Sequence, residues 1–596
     1  MHTRILVQLA FLALIPVSRL AGQVPDRWLT DYEKSGYRAT PKYAETVDYC
    51  RRLAAASPWV TFTSFGTSPQ GRDLPLLIVS SKGIRTPEHP ARARFPVVLI
   101  QAGIHAGEID GKDAGLMLVR DMAITRQRAS LLDSVTVLYI PILNVDGHER
   151  FGPYNRINQN GPDQMGWRVT AQNLNLNRDY LKADAPEMQA LLRLFSSWMP
   201  DLYIDCHVTN GIDFVYDVTY TTEMGPQIDA GVGTWVSRDY LPGMLSGVEN
   251  AGHRIFWYVF PREDRDLGKG MDGGASPPRF STGYAALRNR AALLIETHVY
   301  KPYRTRVDAT YAILVSSLER VNRTASTLRA ASRAADETAI RIGRSGGTTP
   351  LSFGLDSVST QREFLGYRTI ERRSEVSGAI RRVSTGQPVA IRVPFYGQIR
   401  VKDSVTVPRF YLVPPEWTFV PELLRLHGVR MHRLKNPVTL EVESYRFRNP
   451  RWREHPYEGR HSLSVAADPI RERRSFMPGT VVIPTDQPAM RVAVQLLEPR
   501  TEDGFVGWGF FDAIFEQKEY FEAEVMEQVG ERMLAADSVL NAEFRRLLAA
   551  DSAFSANPRA RLAWLYRRSP YADRWHNVYP VGRFSGTERL DLEPLR

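Results

Sequence analysis

Cysteine is almost absent: Cys50 and Cys206 are the only two in 596 residues. Two are too few for a disulfide scaffold. Cys50 shares the apolar side of a helical stretch with Tyr43, Val47 and Leu53, and Cys206 ends an apolar run, so both are expected as buried thiols. Lysine is scarce as well, ten residues against 66 arginines, within a net charge of +10. The arginines are scattered, and the densest group is Arg471, Arg473 and Arg474. With no nucleic-acid motif in the chain, the basic balance reads as compositional bias plus ordinary ion pairs, and a nucleic-acid partner is not expected. Beyond residue 22 no stretch approaches the ~18 uninterrupted apolar residues of a membrane span. Hydrophobic residues at 43% and charged residues at 24% exclude a disordered or collagen-like chain, and neither an internal repeat nor a low-complexity tract is present.

What is present begins with a targeting pattern. Residues 1–22 combine a basic start at Arg4, an apolar stretch over 5–17 and the small residues Ala21 and Gly22, the pattern of a secretory signal peptide. No cysteine lies near the cleavage point, so a lipid anchor is not expected, and the destination is secreted or periplasmic. At roughly 100–200 residues per domain, the length calls for at least two domains. From about residue 40 to 335, apolar runs at 74–80, 97–102, 135–142, 202–206 and 292–295 alternate with helical periodicity at 44–56, 112–122 and 186–198. Continuous apolar strands with helices between them predict an α/β domain over 23–340 with a mostly parallel or mixed sheet. The glycine-rich segment 342–350 is the expected boundary. Residues 351–596 form a second region, β-rich to about 500, helical over 510–567 and loop-like from 571.

Four polar clusters follow closely on apolar strands: His105 and Glu108, the group from Asn144 to Gly147, His207, and Glu296. Ligands in open α/β sheets bind at the carboxyl ends of strands, so four strands delivering such groups to one edge mark a site. His105 and Glu108 lie three apart across a tight turn, and His207 adds a third donor. Two His and one Glu, with a position left for water, make a catalytic rather than a structural zinc set. Peptide hydrolysis also needs a proton carrier. Glu296, at the edge of a buried strand, is the candidate; the alternative is an ion pair with Arg288 or Arg290, and His298 is a rival on the same face. In the polar run from Asn173 to Tyr180, Arg178 and Asn177 suit a free carboxylate. Arg168 suits a scissile carbonyl and its oxyanion. Either arginine could instead be a structural ion-pair partner.

These residues resemble the zinc carboxypeptidase family, the metallocarboxypeptidases related to carboxypeptidase A. The resemblance rests on His105 and Glu108, the Asn144-Val145-Asp146-Gly147 run, Asn177-Arg178, His207 in Asp205-Cys206-His207, and Glu296 in Ile295-Glu296-Thr297, in order over about residues 40–330. It implies an α/β/α fold with a mixed sheet of about eight strands, one Zn2+ held by His105, Glu108 and His207, and Glu296 as general base and acid. Asn177 and Arg178 would bind the terminal carboxylate, Arg168 would polarise the carbonyl, and Tyr284 is nearest in kind to the family's substrate-capping tyrosine. Gly107 stands where digestive members carry an arginine, and Asn175 where many have the aspartate that supports a zinc-ligand histidine. The substrate implied is a peptide, or a peptidoglycan stem, ending in a free carboxylate. Two other functions fit the same residues: a zinc amidohydrolase or deacylase on another amide, and a non-catalytic binding module.

Overall fold

The computed structural model describes residues 24–209, 211–263 and 266–595; the expected signal segment lies outside the described residues. The first region is built on an eight-stranded mixed sheet. Its strands are β1 (Val60–Thr67), β2 (Asp73–Val79), β3 (Val97–Gln101), β4 (Thr136–Ile140), β5 (Leu202–Thr209), β6 (Val218–Thr221), β7 (Ile255–Trp257) and, after a separate hairpin of β8 (Phe260–Glu263) and β9 (Asp266–Asp272), β10 (Ala291–His298). The order is β1-β2-β4-β3-β5-β10-β6-β7. The central strands β4, β3, β5 and β10 run parallel, while β1, β2 and β6 join antiparallel.

The apolar runs are continuous because both faces of the sheet are buried. Successive side chains of a strand point to opposite faces, and here they enter two different cores. Leu77, Val79, Val98 and Ile100 join the helices Asp110–Ala123 and Tyr303–Arg323, whereas Leu76, Ile78, Val97 and Leu99 join the helix Pro186–Trp198. That last helix starts with Pro186, whose fixed φ suits the first turn, and stops at Met199 in the left-handed region (φ 42°) before Pro200. Cys50 and Cys206 are free, buried thiols, as expected.

The second region does not stand apart. The glycine run at 342–350 ends the helix Ala325–Ser345 with Gly346 in the left-handed conformation, the usual way to close a helix, and β11 (Thr348–Leu355) begins at once. This strand pairs with β14 (Ile399–Thr406). Two long strands between them, β12 (Thr360–Arg373) and β13 (Ile380–Tyr396), pair with each other, and β13 adds to β9. Next comes a seven-stranded antiparallel sheet, in the order β18-β17-β20-β15-β19-β16-β21, made of β15 (Phe410–Val413), β16 (His432–Leu434), β17 (Val438–Trp452), β18 (Leu463–Phe476), β19 (Val481–Pro484), β20 (Gly582–Phe584) and β21 (Leu592–Pro594). Side chains from this region, among them Tyr411, Leu424, Met490 and Phe505, complete the same hydrophobic cluster as Leu76, Leu99 and Phe195. The terminal stretch expected to be a loop contributes β20 and β21. Each is three residues long, too short to show a period of two. No helix among the described residues is long and apolar enough to cross a membrane.

Candidate active site

Three neighbouring strands deliver the chemistry. After β3 the chain turns through Gly103 (φ 65°) and presents His105 and Glu108, with the Glu108 amide donating to the His105 carbonyl at 2.9 Å. Asp205 and His207 lie on β5, and Glu296 on β10 is the register partner of His207. One donor atom from each of His105, Glu108 and His207 lies within 4.8 Å of the others, and all three residues are buried. Both imidazoles aim Nδ1 at Glu108: His207 Nδ1 is 3.1 Å from Oε2 and His105 Nδ1 is 3.1 Å from Oε1. The far nitrogens are anchored. His105 Nε2 meets Asn175 Oδ1 at 3.0 Å and His207 Nε2 meets Asp205 Oδ2 at 2.9 Å.

This donor set fits a divalent ion. His105 Nδ1 is buried without a hydrogen-bond partner, although its carboxylate neighbour is close, and an orphaned buried nitrogen is costly unless something else engages it. The anchors on the outer nitrogens fix ring orientation in the way ligating histidines require. Asn175 thus anchors His105 with a neutral amide, while a carboxylate, Asp205, serves His207.

Electrostatics support the same picture. Burial is the main influence on His105 and lowers its pKa to about 4, against the pull of Glu108. Burial also opposes the charged forms of Glu108 and His207. His105 and Arg156 nevertheless hold the Glu108 carboxyl well below its usual range, and Asp205 and Glu108 hold His207 well above its own. Burial pushes Glu296 up to about 8, with His207 opposing and Glu108 and Asp205 adding to the rise. Three carboxylates around one imidazole are complementary to a cation.

His105, Glu108, His207, Glu296, Arg168, Asn177 and Arg178 all line one cavity of about 550 Å³. Arg168 Nη1 lies 3.3 Å from Glu108 Oε1. The buried side-chain oxygen of Asn177 has no hydrogen-bond partner. Arg178 stacks on Phe280, its guanidinium carbon 4.2 Å from the ring centre. Neither Arg288 nor Arg290 reaches Glu296: Arg288 bonds Ser196 and the His427 carbonyl, and Arg290 forms a two-pronged pair with Asp336. His298 stacks on Phe214 at 4.0 Å and faces Asp213, apart from the cavity.

Tyr284 lies outside the cavity that gathers the other residues. It sits on the helix Ser281–Leu287 with 0% exposure, its ring packed on Tyr180, Phe195 and His427 and its hydroxyl 3.1 Å from His427 Nδ1. The tyrosine that does line the cavity is Tyr258, in the aromatic run from Phe256 to Phe260, a run that looks like core strand in the sequence. Burial, reinforced by the charge of Glu296, raises its phenol pKa. Arg156 is another residue that the sequence does not mark. It packs against Gly107, where an added Cβ would approach its Cγ to 2.8 Å, and its Nη2 lies 2.8 Å from Glu108 Oε1. A cation therefore stands beside the site despite the glycine.

Residues 46–240 match the family model Peptidase M14, zinc carboxypeptidase. Among curated proteins the chain is similar to carboxypeptidase 2 of Trichophyton rubrum, 22% identical with 79% of this chain and 84% of that protein covered. Carboxypeptidase 2 of Trichophyton tonsurans is 23% identical over the same shares. Among solved structures, a metallo-carboxypeptidase from Burkholderia cenocepacia is 17% identical and aligns with 48% of this chain and 70% of its own at a TM-score of 0.35. The matched segment carries His105, Glu108 and His207, so the part of the chain that is similar to the zinc carboxypeptidase family is the part that holds the candidate metal ligands.

Proposed function

We propose that this protein is an exported, single-zinc carboxypeptidase that hydrolyses the bond next to a free C-terminal carboxylate. His105 Nδ1, one Glu108 oxygen and His207 Nδ1 would hold the ion. The chemistry zinc supplies there when bound is Lewis acidity, which acidifies water and polarises a carbonyl. Everything else falls to side chains. Glu296 takes the proton of the attacking water and returns it to the leaving amine, a role suited to a carboxyl whose proton affinity burial has raised. Arg168 neutralises the developing oxyanion. Arg178 and Asn177 bind the terminal carboxylate and fix which bond faces Glu296. Tyr258 lines both this cavity and a neighbouring one of about 710 Å³ beneath β12 and β13, which offers room for the rest of a peptide or peptidoglycan stem. Export rests on the signal-like pattern of residues 1–22.

The observation that supports this reading is the meeting of His105, Glu108 and His207 with the buried Glu296 and with Asn177, Arg178 and Arg168 in one cavity. An amidohydrolase on other amides would not need Arg178, and a binding module would not need Glu296. The test is a pair of variants assayed on C-terminally varied peptides. Glu296→Gln is expected to keep its zinc and lose about 10²–10⁴ of kcat, the usual share of a general base, whereas His207→Ala is expected to lose both zinc and turnover. Retention of most activity by Glu296→Gln would sink the mechanism, and a protein that binds no zinc would sink the metal site.

A further inference from the structure

The β17–β18 hairpin of the second region does not end in solvent. Its strands run out through Arg453 and Ser462, joined at 2.9 Å, to a two-residue turn in which Tyr457 and Arg460 exchange backbone hydrogen bonds. The turn residues Glu458 and Gly459 have φ of 51° and 79°, the pattern of a type I′ hairpin turn. Glycine suits this geometry at 459, where an added Cβ would also come within 3.2 Å of Leu174. Glutamate at 458 does not suit it. A non-glycine residue in the left-handed region carries a conformational cost and persists where its surroundings over-determine it.

Here the surroundings are the loop that carries the carboxylate clamp. Glu458 Oε2 accepts the Asn175 amide at 3.1 Å, and Tyr457 Oη accepts from Arg178 Nε at 3.2 Å. The turn is itself braced. Tyr457 stacks on Trp508 with the rings 7° from parallel, and Arg460 grips Asp184 with two bonds of 2.7 and 2.8 Å while lying over Phe510. Arg178 is then held on three sides, by Tyr457 at Nε, by the Asn177 carbonyl at Nη1 (2.8 Å) and by Phe280 beneath its plane. Nη2 is the nitrogen left over for a ligand.

We propose that the tip of the β17–β18 hairpin is a built-in positioning element of the active site, in which Tyr457 sets the guanidinium of Arg178 for a substrate carboxylate and Glu458 holds the backbone from which that arginine comes. This rests on the reading of Arg178 as the carboxylate clamp, and it gives the second region a part in substrate selection. Tyr457 is a positioning residue, so its effect must pass through Arg178.

A double-mutant cycle on the full-length zinc enzyme tests this, with Tyr457→Phe, Arg178→Ala and the two combined. Phenylalanine keeps the stack on Trp508 and removes only the acceptor. Tyr457→Phe is expected to raise KM for free-carboxylate peptides roughly 10- to 100-fold, as for a lost hydrogen bond to a charged group, with kcat within about twofold and thermal stability unchanged. Peptides ending in a C-terminal amide should be unaffected, and Tyr457→Phe should add almost nothing in the Arg178→Ala background. Glu458→Gly, which tolerates the positive φ, should shift KM in the same direction. If Arg178→Ala raises KM while Tyr457→Phe leaves it within twofold, the positioning role is overturned and the clamp stands. If Arg178→Ala itself leaves KM unchanged, the clamp reading falls and the positioning role falls with it.

Discussion

Glu187 is buried with 0% exposure, and neither carboxylate oxygen has a hydrogen-bond partner. It occupies the first turn of the helix Pro186–Trp198, where the helix dipole favours a negative charge. Burial outweighs that benefit and pushes its pKa up to about 7, with Asp146 and Asp179 adding to the rise. The unfolded chain releases this proton near the ordinary value of about 4.5, so folding resists ionisation and stability falls as pH rises from there through 7. The full shift corresponds to roughly 3 kcal/mol as an upper bound. Glu187→Gln is therefore expected to match the parent at pH 4 and to exceed it at pH 8 by about 2 kcal/mol or a little more, read as a higher apparent Tm in scanning calorimetry. An equal Tm at pH 8 would contradict this account. At the same residue scale the metal triad and Glu296 are legible because each closely follows, or lies within, a run of apolar residues, and the end of a strand is a place a sequence can mark. Tyr284 and Tyr258 are not distinguishable in the sequence, since both sit among aromatic and small residues and only the packing of the helix Ser281–Leu287 decides which one is enclosed. Arg156 escapes notice for a related reason: its contact with Glu108 spans 48 residues and leaves no local pattern.

Elements show the same division. The central strands and the helix Pro186–Trp198 arise from hydrophobic period and from proline at the first turn, signals that act within a few residues. The strands β7, β20 and β21 are three residues each and owe their existence to partners far along the chain. The glycine run near 346 has the composition of a linker, but glycine also ends helices, and only the immediate start of β11 decides between the two. Gly343, inside the helix Ala325–Ser345, shows how closely the two regions approach. An added Cβ there would fall onto the backbone carbonyl of Thr485, whose hydroxyl in turn donates to the Gly343 carbonyl at 3.2 Å. Alanine in an exposed helix would gain about 1 kcal/mol over glycine. Against backbone that cannot move aside, overpacking costs more, typically about 1–3 kcal/mol. Gly343→Ala is thus expected to lower the apparent Tm by a few degrees, and a rise would mean that the helix and the β19 turn are not in contact.

At the scale of the molecule, the feature least legible in the sequence is that the two regions share one core. Composition and length ask for two domains, and the motifs of the first region are complete before residue 300, so nothing in the sequence ties the remainder to it. The tie is apolar surface. Leu351, Tyr411, Leu424, Met490 and Phe505 close the same cluster as Ile78, Leu191 and Tyr203, and apolar residues carry no address for the partner they bury against. Two regions that complete one another's core must unfold together. Calorimetry on the zinc-loaded protein is expected to show a single transition. Phe505 is fully buried and packs on Phe419 and Phe510 at 5.7 and 5.4 Å, and Phe505→Ala should cost about 3–5 kcal/mol. Although Phe505 lies far along the chain from the metal triad, its loss should move the entire transition down and release zinc at the same lower temperature. Two separated transitions, with Phe505→Ala shifting one alone and zinc retained through it, would show that the regions are independent and that the shared core is a contact between finished domains.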